Sequence, residues 1–269
     1  MGGRGSAIEA YDAMAAIYDE LNACNDYEKW LGEALLPELE KRGLRQTTGR
    51  VLDVGCGTGR ALPPLVKRGW NVTGCDSSKA MLEQALKNHG PDRWAGLSVA
   101  DARSIPEFGD PFDLVIALND VVNYLTEDGD LKRFFDGVKK NLAPHGLVCF
   151  DANTLGYFEG SFAPQREDDT VERGSAPIHQ RGWKWSGLTV APKPGGIFEA
   201  ELTGDGIDGV SIHRERHWPP EEIEGAMLAT GLSCLAVLGQ REDGEGIHLD
   251  VGLDEQRHYK VVYIGGNRG

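Results

Sequence analysis

A chain of 269 residues, 40% hydrophobic and 26% charged, can bury a full core and lies near the upper edge of a single domain. Its formal charge of −14 argues against a nucleic-acid partner, whose phosphates need a basic stripe, and against an anionic membrane surface. No apolar run reaches spanning length and the N-terminus lacks the apolar stretch of a secretory signal, so the expected setting is the cytoplasm, with no membrane partner.

In chain order, Tyr11, Met14, Tyr18 and Leu21 recur at helical spacing. Strand-length apolar runs at 50–54, 71–75, 97–100, 112–118 and 146–151 then alternate with helical stretches at 60–68, 78–88 and 129–141. That alternation implies an α/β fold with a parallel sheet covered on both faces, and places Phe112 and Phe150 in the core. Pro63 and Pro64 predict a late or distorted start for the first of these helices. Residues 159–180 are polar with little periodicity and read as a loop. Runs at 183–190, 197–203 and 210–218, separated by Gly/Pro/Asp clusters, read as an inserted antiparallel β cap after the fifth strand. A helix over 219–231 has prolines at its entry and glycine at its exit. The runs at 232–239 and 259–266 bring the main sheet to seven strands as a closing hairpin, with 240–258 as an acidic loop. The organisation is therefore an N-terminal helical segment (1–49), a core (50–155 and 219–269) and a cap (156–218). Five scattered cysteines with no C-x-x-C pair support neither a disulfide framework nor a zinc site.

The stretch "VLDVGCGTGR" (51–60) carries glycines at 55, 57 and 59. A dinucleotide fingerprint wants its third glycine at the position of Arg60, so the phosphate-fitting spacing is missing. Asp76, ending the second strand, is placed to accept both hydroxyls of a ribose. Asp53 beside the loop suits a ligand with a cationic amino group better than a pyrophosphate.

Together "VLDVGCGTG", "VTGCDSSKAML" and "VADAR" (99–103), in that order across 50–151, resemble the class I S-adenosylmethionine-dependent methyltransferases. The resemblance implies a Rossmann-like sheet and S-adenosylmethionine as cofactor. It also implies that Asp53, Gly55, Gly57 and Gly59 hold the methionine end, and that Asp76 with Ser77 takes the ribose. Asp101 with Ala102 would read the adenine, Asn119 would face the sulfonium, and Met81 would complete the set. Tyr11 and Tyr18 would belong to a lid over the cofactor, plain helix packing being the alternative. Asp76 could instead cap the helix that follows it.

"LVCFDANT", the antiparallel insertion and "RERHWPPEEIEGAMLATGL" further resemble glycine N-methyltransferase and the amino-sugar N,N-dimethyltransferases. That likeness puts Asn123, Asn153, Trp183, Trp185, Arg214 and Arg216 near the substrate, with simple strand packing open for both tryptophans. Candidate bases are His217, Tyr124, Asp120 and Asp151, histidine fitting best by its ordinary pKa. His213, His248 and His258 lack a partner pattern and read as solvated. No set of side chains has metal-ligand spacing. The expected activity is methyl transfer to a small polar metabolite, foremost N-methylation of an amine. O-methylation in secondary metabolism and a non-catalytic cofactor sensor are the alternatives, and a homodimer is left open.

Overall fold

The computed structural model describes residues 6–44, 48–164, 182–243 and 246–268. Helix α1 (Ala7–Met14) starts from a capping box in which Ser6 and Glu9 satisfy each other's backbone N–H. A short α2 (Tyr18–Leu21) follows, then a π-wound turn over Glu28–Leu35 that runs into α3 (Leu36–Lys41).

Five parallel strands come next: β1 (Arg50–Val54), β2 (Asn71–Asp76), β3 (Gly96–Val99), β4 (Phe112–Ala117) and β5 (Leu142–Asn153). They are linked by α4 (Leu62–Lys67), α5 (Lys79–His89) and α6 (Asp130–Asn141). Helix α4 starts at Leu62, two residues later than its apolar run, which leaves Pro63 and Pro64 in the first turn, where no N–H is needed.

A short α7 (Leu155–Ser161) leads to the cap strands β6 (Lys184–Gly187), β7 (Ile197–Thr203) and β8 (Ser211–Arg216), an antiparallel sheet of its own. Helix α8 (Pro220–Ala229) returns the chain to the main sheet through β9 (Leu232–Asp243), β10 (Gly246–Val251) and β11 (Lys260–Asn267).

The main sheet has the order β10-β9-β11-β5-β4-β1-β2-β3, with β11 antiparallel between β5 and β9. Its strands are apolar on both faces, as a doubly covered sheet requires. Val51, Val72, Leu114 and Ile116 pack with the residues of the π turn, α3 and α4, whereas Leu52, Val115, Ala117 and Phe150 pack with Phe134, Phe135, Ile223 and Met227 of α6 and α8.

Two expectations change. Among the described residues the sheet has eight strands, because residues 240–258 contain β10 rather than a loop throughout. Ile247 and Leu249 alternate with His248 and Asp250, and both apolar residues pack on the core, a period-two signal masked by acidic surroundings. Residues 159–161 close α7, whose N-cap is Thr154, whereas 165–180 lie outside the described residues.

Candidate active site

Strands β2 and β3 lie on one side of β1, and β4 on the other. At this reversal the segments leaving β1 and β4 diverge, and a crevice forms at their carboxyl ends. A cavity of about 310 Å³ opens there.

The glycine loop is its floor. Gly55 and Gly57 have φ of 72° and 54°, and both border the cavity. A Cβ on Gly55 would stand 2.5 Å from Val121 Cγ2, while one on Gly57 would enter open space. Gly59, also left-handed, instead faces His89 and Trp94, so its lack of a side chain serves packing rather than the cavity.

Asp53 is buried on the cavity wall, and burial with the charge of Asp76 raises its pKa to about 7. Asp76 accepts Gly57 N–H at 2.9 Å and Ser78 N–H at 2.8 Å, which keeps a further lone pair on each oxygen for a ligand. Ser78, not Asp76, caps α5 by accepting Met81 N–H at 3.1 Å; the Met81 side chain is fully buried. Ser77 and Ala102 border the cavity, as does Asp101, whose carboxyl is held below its ordinary range by Arg103.

The opposite wall is the end of β4. Asn119 and Asp120 both take left-handed backbone, at φ 62° and 59°, a strained state for non-glycine residues. The buried Asp151 carboxylate holds them by accepting Asn119 N–H at 2.9 Å and Asp120 N–H at 2.6 Å. Lys260 then bonds Asp120 Oδ1 at 2.6 Å and Asp151 Oδ1 at 3.3 Å. Burial opposes the Lys260 charge, but the two carboxylates outweigh it and hold the ammonium pKa well above its usual value. Asp151 is thereby committed to the backbone and to Lys260.

Residues of α1 and α2 cover the cavity through Tyr11 and Tyr18, which also pack with Trp183 and Trp185 of the cap. Burial pushes the Tyr18 phenol up to about 12, with the Asn119 side chain opposing the rise. This segment is tied to the cofactor side, with Asp19 accepting from Thr58 Oγ1 and from Asn88 Nδ2, each at 2.6 Å.

On the remaining side Tyr124 borders the cavity, its hydroxyl 2.7 Å from His213 Nδ1. His213 is 3% exposed, not solvated, because β8 turns Ser211, His213 and Glu215 inward. His258 is also buried, accepting Asp254 N–H at 3.0 Å; His248 is half-buried and pairs with Asp243.

Several expected substrate residues lie behind the wall. His217 accepts Gly195 N–H at 3.2 Å and meets Glu255 at 3.4 Å, joining the cap to the β10–β11 connection. Asn123 links Arg216 O to Asn153 N–H, and Asn153 Nδ2 donates to Glu215. Trp183 and Trp185 donate their indole N–H groups to Asp205 O and Ser161 O. Arg216 stacks on Trp218 and pairs with Asp128, whereas Arg214 does reach the cavity. His213, Glu215 and Lys260 were not picked out from the sequence. "SIHRERH" is polar at every other position on both faces, so alternation by polarity could not say which face is buried.

The residues fit an adenosyl cofactor with a methionine end: Asp53, Asp76 and Asp101 border one cavity, and the space beside Gly57 is open. A family model described as "Methyltransferase domain" matches residues 51–146. YqeM of Bacillus subtilis (strain 168), named as a methyltransferase, is 33% identical over 246 residues, covering 87% of this chain and 91% of that protein. Among solved structures, an S-adenosylmethionine-dependent methyltransferase from Clostridium acetobutylicum ATCC 824 superposes with a TM-score of 0.72 at 20% identity, over 96% of this chain and 99% of the other. The sugar N-methyltransferase KedS8 from Streptoalloteichus sp ATCC 53650 gives 0.61 at 20% identity, over 100% and 96%; at such identities both likenesses are of fold alone. The likeness to YqeM carries the family: this chain belongs to the class I S-adenosylmethionine-dependent methyltransferases and takes S-adenosylmethionine as its cofactor.

Proposed function

We propose that the chain methylates the nitrogen of a small amine, with an amino sugar, an amino acid or a natural-product amine as the acceptor class. When bound, the cofactor supplies an electrophilic methyl group on its sulfonium. Asp53, Gly55 and Gly57 hold its methionine end, Asp76 and Ser77 its ribose, Asp101 and Ala102 its adenine edge. Asn119, locked in place by Asp151, faces the sulfonium, and Tyr11 and Tyr18 exclude water from above.

The observation that carries the acceptor class is the charge of the chamber beyond Asn119. Burial above all, with the Asp120 charge adding to it, pushes the phenols of Tyr11, Tyr18 and Tyr124 and the carboxyl of Glu215 upward. Of the neighbouring cations, Lys260 is outnumbered by Asp120 and Asp151, which leaves net negative charge, and Arg214 is paired with Glu127 and Glu199. Such a chamber attracts an amine and disfavours an anionic acceptor. Catalysis is then chiefly positioning, since in-line displacement needs nucleophile, methyl carbon and sulfur held collinear. The five free cysteines suit a reducing cytoplasm.

A second reading, transfer to a hydroxyl oxygen, draws on the Tyr124–His213 contact, which could take a hydroxyl proton. Methyl-labelled S-adenosylmethionine, offered with a panel of amines and their matched alcohols, separates the two. Label on nitrogen is expected. Label on oxygen alone, or on neither, would refute the amine assignment.

A further inference from the structure

The hydrogen bonds behind Tyr124 have only one consistent direction. Ser211 Oγ lies 2.9 Å from the carbonyl oxygen of Ala10 and 2.9 Å from His213 Nε2. Two oxygens at that distance need a proton between them, and a carbonyl has none to give. The Ser211 hydroxyl proton therefore points to Ala10, so Ser211 must accept from His213, whose Nε2 carries a hydrogen. His213 is packed against Trp185 at a ring distance of 4.9 Å and faces the rings of Tyr11 and Tyr124, with the Asp120 carboxylate as the nearby charge. Burial outweighs that charge and pushes the imidazole down to about 4, so the ring is neutral and Nδ1 is bare. Tyr124 must then donate its one proton to Nδ1. Its oxygen keeps its lone pairs, and Tyr124 borders the cavity.

We propose that the Ala10 carbonyl sets the direction of a hydrogen-bond chain through Ser211, His213 and Tyr124, and that this fixes His213 as the neutral Nε2–H tautomer and leaves the Tyr124 oxygen as the hydrogen-bond acceptor for the N–H of the amine. Ser211 and His213 are thus positioning residues that act through Tyr124. Ala10 lies on α1, which packs on β8 and covers the cavity through Tyr11, so the group that sets the direction belongs to the helix over the cofactor. The chamber acquires its acceptor group only with that helix seated, which couples cofactor cover to amine orientation. This role rests on the amine reading above, whereas the tautomer can be measured without any acceptor.

The test is a long-range ¹H–¹⁵N correlation spectrum of the full chain saturated with S-adenosylhomocysteine at neutral pH, with the His213 signals identified by their loss in His213→Gln. The expected result is a proton on Nε2 alone. In Ser211→Ala the ring should shift to a mixture of tautomers while affinity for S-adenosylhomocysteine is unchanged, and Ser211→Thr should restore the single form. A proton on Nδ1, or on both nitrogens, in the unmodified protein overturns the proposal even if Ser211→Ala fails to fold. A pure Nε2–H form in folded Ser211→Ala removes Ser211 and Ala10 from it. An amine panel without methylated product would instead defeat the amine reading and leave the tautomer standing, so the two failures are distinct.

Discussion

Cofactor binding should release a proton from Asp53, and the size of the effect follows from its burial. On the cavity wall this carboxyl rises from 3.8 to about 7, first through burial and then through the charge of Asp76. Three units at about 1.4 kcal/mol each make the ionised form about 4 kcal/mol costlier than in water. An incoming α-ammonium needs that ionised form as its partner. Below pH 7 Asp53 is protonated in the free protein and must lose its proton on binding. Affinity therefore rises with pH, by about tenfold per unit, and levels off above the raised pKa. Between about pH 5 and pH 7 the gain is about 2.3 kcal/mol, since half of Asp53 is already ionised at the raised pKa. Calorimetric titration with S-adenosylhomocysteine, in two buffers of different ionisation enthalpy, reads both the affinity and the protons released. About one proton should leave at the acid end and none well above pH 7, and Asp53→Asn should flatten both curves. Equal affinities at about pH 5.5 and 7.5 without proton exchange would refute the reasoning, and a slope that survives Asp53→Asn would assign the titration to Asp76.

Asp76→Ala should weaken S-adenosylhomocysteine binding by more than ~1.5 kcal/mol, since a charged acceptor is lost and Gly57 N–H loses its partner; unchanged calorimetric affinity would move the ribose site elsewhere. Lys260→Met should cost about 3–5 kcal/mol of stability in urea unfolding by stranding Asp120 and Asp151 without their cation, with part recovered by adding Asp120→Asn. The raised Lys260 pKa makes its contribution fully present below its ordinary pKa and lost as pH rises through the folded value, so a loss below about 1 kcal/mol at neutral pH would contradict the geometry. Gly55→Ala should lower stability by about 1–3 kcal/mol, because φ is 72° and its Cβ meets Val121; Val121→Ala should relieve only the contact, as thermal unfolding of the single and double variants would report. His217→Ala should cost about 1–3 kcal/mol of stability by leaving Gly195 N–H without its acceptor, and should leave cofactor affinity alone. Full stability with impaired turnover would return His217 to the chemistry.

The glycine loop and the acids at strand ends are local features, which is why they are legible in the sequence. Gly55 and Gly57 are needed where the backbone turns left-handed, and Asp53 and Asp76 end strands recognisable by their own apolar runs. Even the late start of α4 is readable, from Pro63 and Pro64. Strand β10 was hidden because its alternation is short and sits in an acidic stretch.

The acceptor side was hidden for a different reason. Tyr124, the pair His213 and Glu215, and Lys260 come from three distant parts of the chain, and each is an ordinary polar residue in its own segment. What gives them roles is that the cap lays one face of β8 against α1 and that β11 brings Lys260 beneath the end of β4. His217 follows directly on β8 and His213 lies within it; four residues separate one that joins the cap to the β10–β11 connection from one that lies behind the cavity wall. Sequence spacing determined the cofactor side, because one loop and two strand ends make it. Tertiary packing decided the acceptor side, because burial selects which polar groups keep their charge, their proton or their partner.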